Sequence, residues 1–110
     1  MKPSQEYADA LAVQLRKGFL AYCVLRLCAR QPRYTSDIIS LLRAADMVVV
    51  EGTIYPLLSR LQKDGLLAHE WQESEQGPPR KYYKITNYGE EVATELSQSI
   101  RLLNTTLKKL

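Results

Sequence analysis

One histidine and two cysteines in 110 residues are too few to furnish the usual ligands of a zinc site within one chain, so no metal is expected. Cys23 and Cys28 stand five residues apart in a predicted helix, which turns them away from one another. An intrachain disulfide is therefore not expected, and both read as small buried hydrophobes of a reduced protein. No basic segment followed by an apolar core opens the chain, and Arg26 breaks the only long apolar run. Neither a secretion signal nor a membrane span is expected, and a cytoplasmic protein is. His69 has no serine–carboxylate or second-histidine arrangement to work with, so an enzyme has no constellation to stand on and no cofactor is implied. Repeats, linkers and low-complexity tracts are absent as well.

What the chain does have is a modest surplus of positive charge, 15 Lys and Arg against 12 Asp and Glu. That permits binding to DNA without requiring it, because the placement of the charge decides. The length suits one domain, and the 45% hydrophobic content suits a small core that a dimer interface would help to complete.

The stretch Val48 to Leu67 organises the rest. Read as a helix from about Glu51 to Asp64, it places Ile54, Leu57, Leu58 and Leu61 on one side, where they can bury together. Gly52, Thr53, Tyr55, Pro56, Ser59 and Lys63 lie toward the other, with Arg60 on the flank. That outer face holds small residues, hydroxyls and positive charge but no carboxylate, and can approach phosphates and base edges. Pro56 belongs in or just after the first turn, and Gly65 can take the left-handed conformation that stops the helix. A hairpin is expected next: Leu67 to Glu73, a loop from Ser74 to Pro79, then Arg80 to Ile85. Helix, tight exit and a two-stranded wing with a basic shoulder describe a winged helix-turn-helix.

These residues carry a family resemblance. Glu51-Gly52-Thr53-Ile54-Tyr55-Pro56-Leu57-Leu58, Arg60-Leu61, Lys63-Asp64-Gly65-Leu66-Leu67, and Gly77-Pro78-Pro79-Arg80-Lys81-Tyr82-Tyr83-Lys84-Ile85-Thr86 with Gly89 resemble the signature of PadR-type transcriptional regulators. Leu15-Arg16-Lys17-Gly18-Phe19-Leu20 through Leu25 is similar to that family's first helix. The likeness covers Leu15 to Leu110 and resembles the short form with a single C-terminal helix. It implies a bacterial dimeric repressor, and similar regulators sense phenolic or other aromatic compounds, often between subunits. The chain departs from the pattern in having Tyr34-Thr35 where a Tyr-Gly pair is usual, and Val50 where a small polar cap is common.

Taken in order, the chain opens with a helix from about Gln5 to Ala29, with Ser4 as N-cap and Gln31-Pro32 as its stop. Tyr7, Leu11 and Leu15 stripe its first half, and its second half is apolar almost all round, which demands cover on every side. Gly18 suggests close approach by another backbone, or else a kink. After a turn at Pro32 to Thr35, Ser36 and Asp37 open a second helix ending near Ala45 or Asp46, with Ile38, Leu41, Leu42 and Ala45 buried. Met47 to Val50 should be extended, with Thr53 or the backbone near Glu51 capping the next helix. Thr86 should cap a last helix from Asn87 to about Lys109, whose Val92, Leu96, Ile100, Leu103 and Leu107 form a coiled-coil-like seam.

The expected fold is mainly α with a small antiparallel hairpin: a winged helix-turn-helix with dimerising helices at both ends. Residues 1–86 form the DNA-binding region and 87–110 the dimerisation helix. Double-stranded DNA is the expected partner, met by Gly52, Thr53, Tyr55, Ser59, Arg60 and Lys63 and by Gly77, Arg80 and Lys81 of the wing. The homodimer joins through Tyr7, Leu11 and Leu15 and through the seam. Trp71, Phe19 and Tyr22 offer flat surfaces to a small aromatic effector, although a Trp simply packed on the wing or at the interface is the plainer reading. A winged module that binds proteins rather than DNA is the alternative; the cations Arg60, Lys63, Arg80 and Lys81 weigh against it.

Overall fold

The computed structural model describes the whole chain, Met1–Leu110. Helix α1 spans Pro3–Arg30 and begins two residues earlier than expected. Pro3 sits in the first turn, where a missing amide hydrogen costs nothing, so Ser4 lies inside the helix and Lys2 is the N-cap without a side-chain bond. Gln31, extended ahead of Pro32, ends it as expected. The apolar half buries Leu20, Val24, Leu25 and Cys28 in the core, whereas Tyr7, Leu11 and Leu15 stay exposed. Gly18 makes no close approach within the chain, since a methyl there would meet nothing within 4 Å.

Next comes an element absent from the sequence reading, a two-residue strand β1, Arg33–Tyr34. It pairs antiparallel with the later strand of the wing, Arg33 facing Tyr83 and Tyr34 facing Tyr82, so the sheet has three strands rather than two. Helix α2, Thr35–Ala44, starts at once, with Tyr34 as N-cap and Thr35 buried. Its buried face is Ile38, Ile39 and Leu42; Leu41 and Ala45 face outward, contrary to expectation. Spacing located the centre of the stripe at Ile38 and Leu42, but the positions of α1 and α3 decide which flank is covered. Asp46 turns the chain with a φ of 67°, and Met47 to Val50 forms neither helix nor strand, with Val50 extended just ahead of the next helix. Val49 enters the core, and its carbonyl accepts from Arg43 Nε and Nη2 at 3.3 and 3.0 Å.

Helix α3, Glu51–Lys63, buries Ile54, Leu57, Leu58 and Leu61 as its spacing requires. No side chain caps it: Val50 is the N-cap, and its carbonyl accepts from the amides of Thr53 and Ile54. Pro56 lies in the second turn, so the Gly52 carbonyl lacks the usual donor four residues on. Gly65, at φ 85°, closes the helix.

Strands β2, Leu67–Ser74, and β3, Gly77–Ile85, run longer than expected and absorb both prolines. The ladder passes from Gln72 facing Arg80 to Ser74 facing Gly77, so Pro78 and Pro79 stand opposite the single Glu73. This bulge accommodates two residues that cannot donate to a ladder. Helix α4, Asn87–Lys109, is capped by Thr86, whose Oγ1 accepts from the Gly89 amide at 2.9 Å. Gly89 is buried directly against the Leu66 carbonyl and Ile85. Both cysteines are free. Burial pushes the Cys28 thiol up to about 12, against a smaller opposing pull from Arg33, and raises Cys23 in the same way against Arg26. At neutral pH neither is a ready nucleophile, because the thiolate is the reactive form.

Candidate nucleic-acid interface

The two-sided pattern of α3 becomes a geometry. With Ile54, Leu57, Leu58 and Leu61 locked into the core, Gly52, Thr53, Tyr55, Ser59, Arg60 and Lys63 are all exposed together. A methyl on Gly52 would touch nothing within 4 Å, so no internal packing requires glycine there. Without a side chain, it leaves the helix backbone open to close approach from outside. The chain's one ion pair, Lys84 with Glu70 at 3.7 Å, lies elsewhere and leaves Arg60 and Lys63 without a carboxylate partner.

Tertiary packing adds a cation that sequence reasoning missed. Lys17 of α1 lines a hollow of about 280 Å³ with Thr53, Pro56 and Arg60 of α3. Two positive side chains thus share one hollow that no acid lines. In the sequence Lys17 is one charge ahead of an apolar run, and only the crossing of α1 over α3 reveals its place.

The wing divides its charges. Strand alternation sets Arg80 on one face of the sheet with Gln72, Tyr82 and Tyr34, and Lys81 on the opposite face with Trp71, His69 and Tyr83. Arg80 lies 4.9 Å over the Tyr34 ring, and Lys81 lies 5.1 Å over Tyr83. Gly77 is exposed at the tip with open space around it. His69, left without a role by the sequence, meets Gln62 of α3 at 2.8 Å through Nδ1. With that nitrogen unprotonated, the Gln62 amide donates, and the contact ties the wing to the end of α3.

The residues expected to dimerise fall into two groups. Val92, Leu96 and Ile100 are half-buried, and Leu96, Ile100 and Leu103 line a trough of about 670 Å³ with Leu15, Gly18 and Phe19 of α1. Tyr7, Leu11, Leu15, Leu103 and Leu107 remain exposed, although Leu15 and Leu103 also line the trough, and they are joined by Leu102, which the seam had not included. The three aromatic candidates do not share a hollow within one chain. Trp71 lies on the wing, edge-on to His69 with ring centroids 6.2 Å apart. Phe19 faces the trough, and Tyr22 lines a separate cleft with Ile85 and Arg101, its hydroxyl accepting from Arg26 at 3.3 Å.

A profile of the transcriptional regulator PadR-like family matches residues 24–95. Among solved structures, a PadR-like transcription factor from Bacteroides fragilis is 52% identical, covering 91% of this chain and 97% of its own, with a TM-score of 0.77. A PadR family transcriptional regulator from Eggerthella lenta is 31% identical, covering 96% and 93%, with a TM-score of 0.84. A PadR-like transcriptional regulator from Bacillus cereus is 37% identical, covering 87% and 94%, with a TM-score of 0.77.

Proposed function

The chain belongs to the PadR-like family of transcriptional regulators, and on that premise we propose that it is a homodimeric repressor of the cytoplasm that reads a palindromic operator. The observation that carries this is the exposed, acid-free outer face of α3, with its unpaired Arg60 and Lys63, beside a wing bearing Arg80 and Lys81. The reading region, 1–86, lays α3 in the major groove. Gly52, Thr53, Tyr55 and Ser59 meet base edges there, and Lys63 and Arg60 reach phosphates. Gly77, Arg80 and Lys81 reach the neighbouring backbone or minor groove. The helix of residues 87–110, with the N-terminal stripe, brings two such regions about 34 Å apart, one turn of DNA. A protein-binding winged module would have no use for so many unneutralised cations.

Titrating DNA from upstream of the protein's own gene tests the reading at several salt concentrations. A dimer that neutralises roughly six phosphates should lose affinity with a log–log slope of about −5. Tight binding indifferent to salt would reject the proposal, and failure to bind any promoter DNA would favour the protein-binding module.

The same proposal includes release by a planar aromatic compound held between subunits, supported by the exposed Trp71 and Phe19 and the half-buried Tyr22. Because they do not share a hollow in one chain, a common site requires the second subunit. Such a compound should quench the single tryptophan, and it should release DNA only if it favours the DNA-incompetent arrangement. A panel of planar aromatics that changes neither fluorescence nor DNA affinity would remove the effector from the scheme.

A further inference from the structure

We propose that Tyr34 is a positioning residue for DNA binding: its ring holds the Arg80 guanidinium without neutralising it and leaves N–H donors free for a backbone phosphate. The inference rests on the reading of the wing as a DNA contact and assigns a part to a residue outside both α3 and the wing.

The contact is built by the sheet. Tyr34 faces Tyr82 across the β1–β3 ladder, their rings 5.8 Å apart and inclined by 38°. Arg80, two residues from Tyr82 along β3, emerges on the same face and lies 4.9 Å over the Tyr34 ring. The ring, rather than the hydroxyl, makes both contacts. Tyr34 is itself fixed on either side, by pairing with β3 and by serving as the N-cap residue of α2.

What matters is how Arg80 is held. A carboxylate would engage the N–H donors and cancel the charge, whereas an aromatic ring attracts the cation without cancelling its charge. The five donors in the guanidinium plane then remain unspent. Glu70 lies on this face of the sheet but is already occupied. Lys84 Nζ approaches its Oε2 at 3.7 Å, and Gln72 Nε2 donates to its Oε1 at 3.2 Å. Arg80 is therefore ordered without being neutralised. Ordering a long side chain before binding removes part of the conformational cost of the encounter. On the other face Lys81 lies over Tyr83, but Tyr83 is a core residue, so only at Tyr34 can the ring be exchanged without opening the core.

The test uses the whole protein and a labelled mixed-sequence duplex of about 30 base pairs, since phosphate contacts do not depend on sequence. Affinity is measured across salt concentration for Tyr34→Leu, Tyr34→Val, Tyr34→Phe, Arg80→Ala and the Tyr34→Leu/Arg80→Ala pair. Arg80→Ala should weaken binding and make the slope shallower by about 2, one phosphate for each wing of a dimer. Tyr34→Leu should weaken binding about 2–5-fold for each wing, or about 4–25-fold for two, with the slope retained because the charge remains. Tyr34→Phe should bind as the parent does. Tyr34→Leu should have no further effect once Arg80 is alanine, the coupling expected of residues that act together. Should Tyr34→Leu prove unstable, Tyr34→Val, whose β-branched side chain suits a strand, should show the same loss with the slope retained. If Arg80→Ala leaves affinity and slope unchanged, the wing is not a DNA contact and the inference falls with it. If Arg80→Ala weakens binding but Tyr34→Leu does nothing, or costs as much without Arg80 as with it, the wing reading stands and the role of Tyr34 is overturned.

Discussion

Replacing Leu103 and Leu107 by glutamate is expected to leave a folded monomer that no longer holds specific DNA. Both side chains are largely bare in the single chain, at 65% and 70% exposure, so a charge at either position costs little inside one subunit. In the proposed dimer they are covered. Leaving a large aliphatic side chain in water forfeits about 1.5–3 kcal/mol, and two-fold symmetry doubles every substitution. The double variant would thus force four carboxylates without partners into the seam, enough to dissociate a dimer at micromolar concentration. Leu96 is a poorer choice for this experiment, because it already lies half-buried in the trough against α1 and its loss would also weaken the monomer. Sedimentation should show half the parent mass, with helix content largely kept, and affinity for the operator should fall to the non-specific range of about 10⁻⁴–10⁻⁶ M. A variant that remains dimeric and binds its operator normally would place the interface elsewhere.

Gly89→Ala is expected to destabilise the fold strongly. The new group would collide with the Leu66 carbonyl oxygen and with Ile85. Ile85 has some freedom to move, but the carbonyl has little. It accepts from the Thr86 amide at 3.0 Å, and the Thr86 hydroxyl, on the side chain that caps α4, donates to the adjoining Gly65 carbonyl at 2.6 Å. Relief of the overlap therefore means displacing the cap, the exit from α3, or both. Overpacking of this kind costs about 3 kcal/mol at the upper end of the usual range. With an unfolding entropy of about 2.1 cal/mol/K per residue, the melting temperature should fall by about 10–15 °C at constant protein concentration. An unchanged melting temperature would mean that α4 docks against the sheet more loosely than this contact implies.

The parts of the fold that were legible in the sequence are those that carry their own local instructions. The buried face of α3 follows from Ile54, Leu57, Leu58 and Leu61 alone, and the start of α4 from Thr86 with the capped Gly89 amide. Elements defined by their neighbours were not legible. Two residues of β1 are too few for any periodicity, and they form a strand only because β3 lies alongside. Pro78 and Pro79 suggested a loop, since proline cannot donate to a ladder; nothing nearby announced that Glu73 would stand opposite both. The recognition-helix face could be listed from spacing, but Lys17 reaches it through packing, and Tyr34 meets Arg80 only once three strands are aligned. Arg80 and Lys81 look like one basic patch in the sequence, and strand alternation separates them onto two faces.

Helix α1 is continuous from Pro3 to Arg30, with Leu20 to Cys28 fixed in the core and Tyr7 to Leu15 projecting beyond it. A rod of 28 residues is about 42 Å long at a rise of about 1.5 Å per residue. Such a rod is a lever. If the outer half is gripped by a second subunit, a tilt of about 5° there carries the far end through about 4 Å, slightly more than the 3.4 Å rise of one base pair. Small angular adjustments at the joint between subunits would then be read out as whole steps along the DNA.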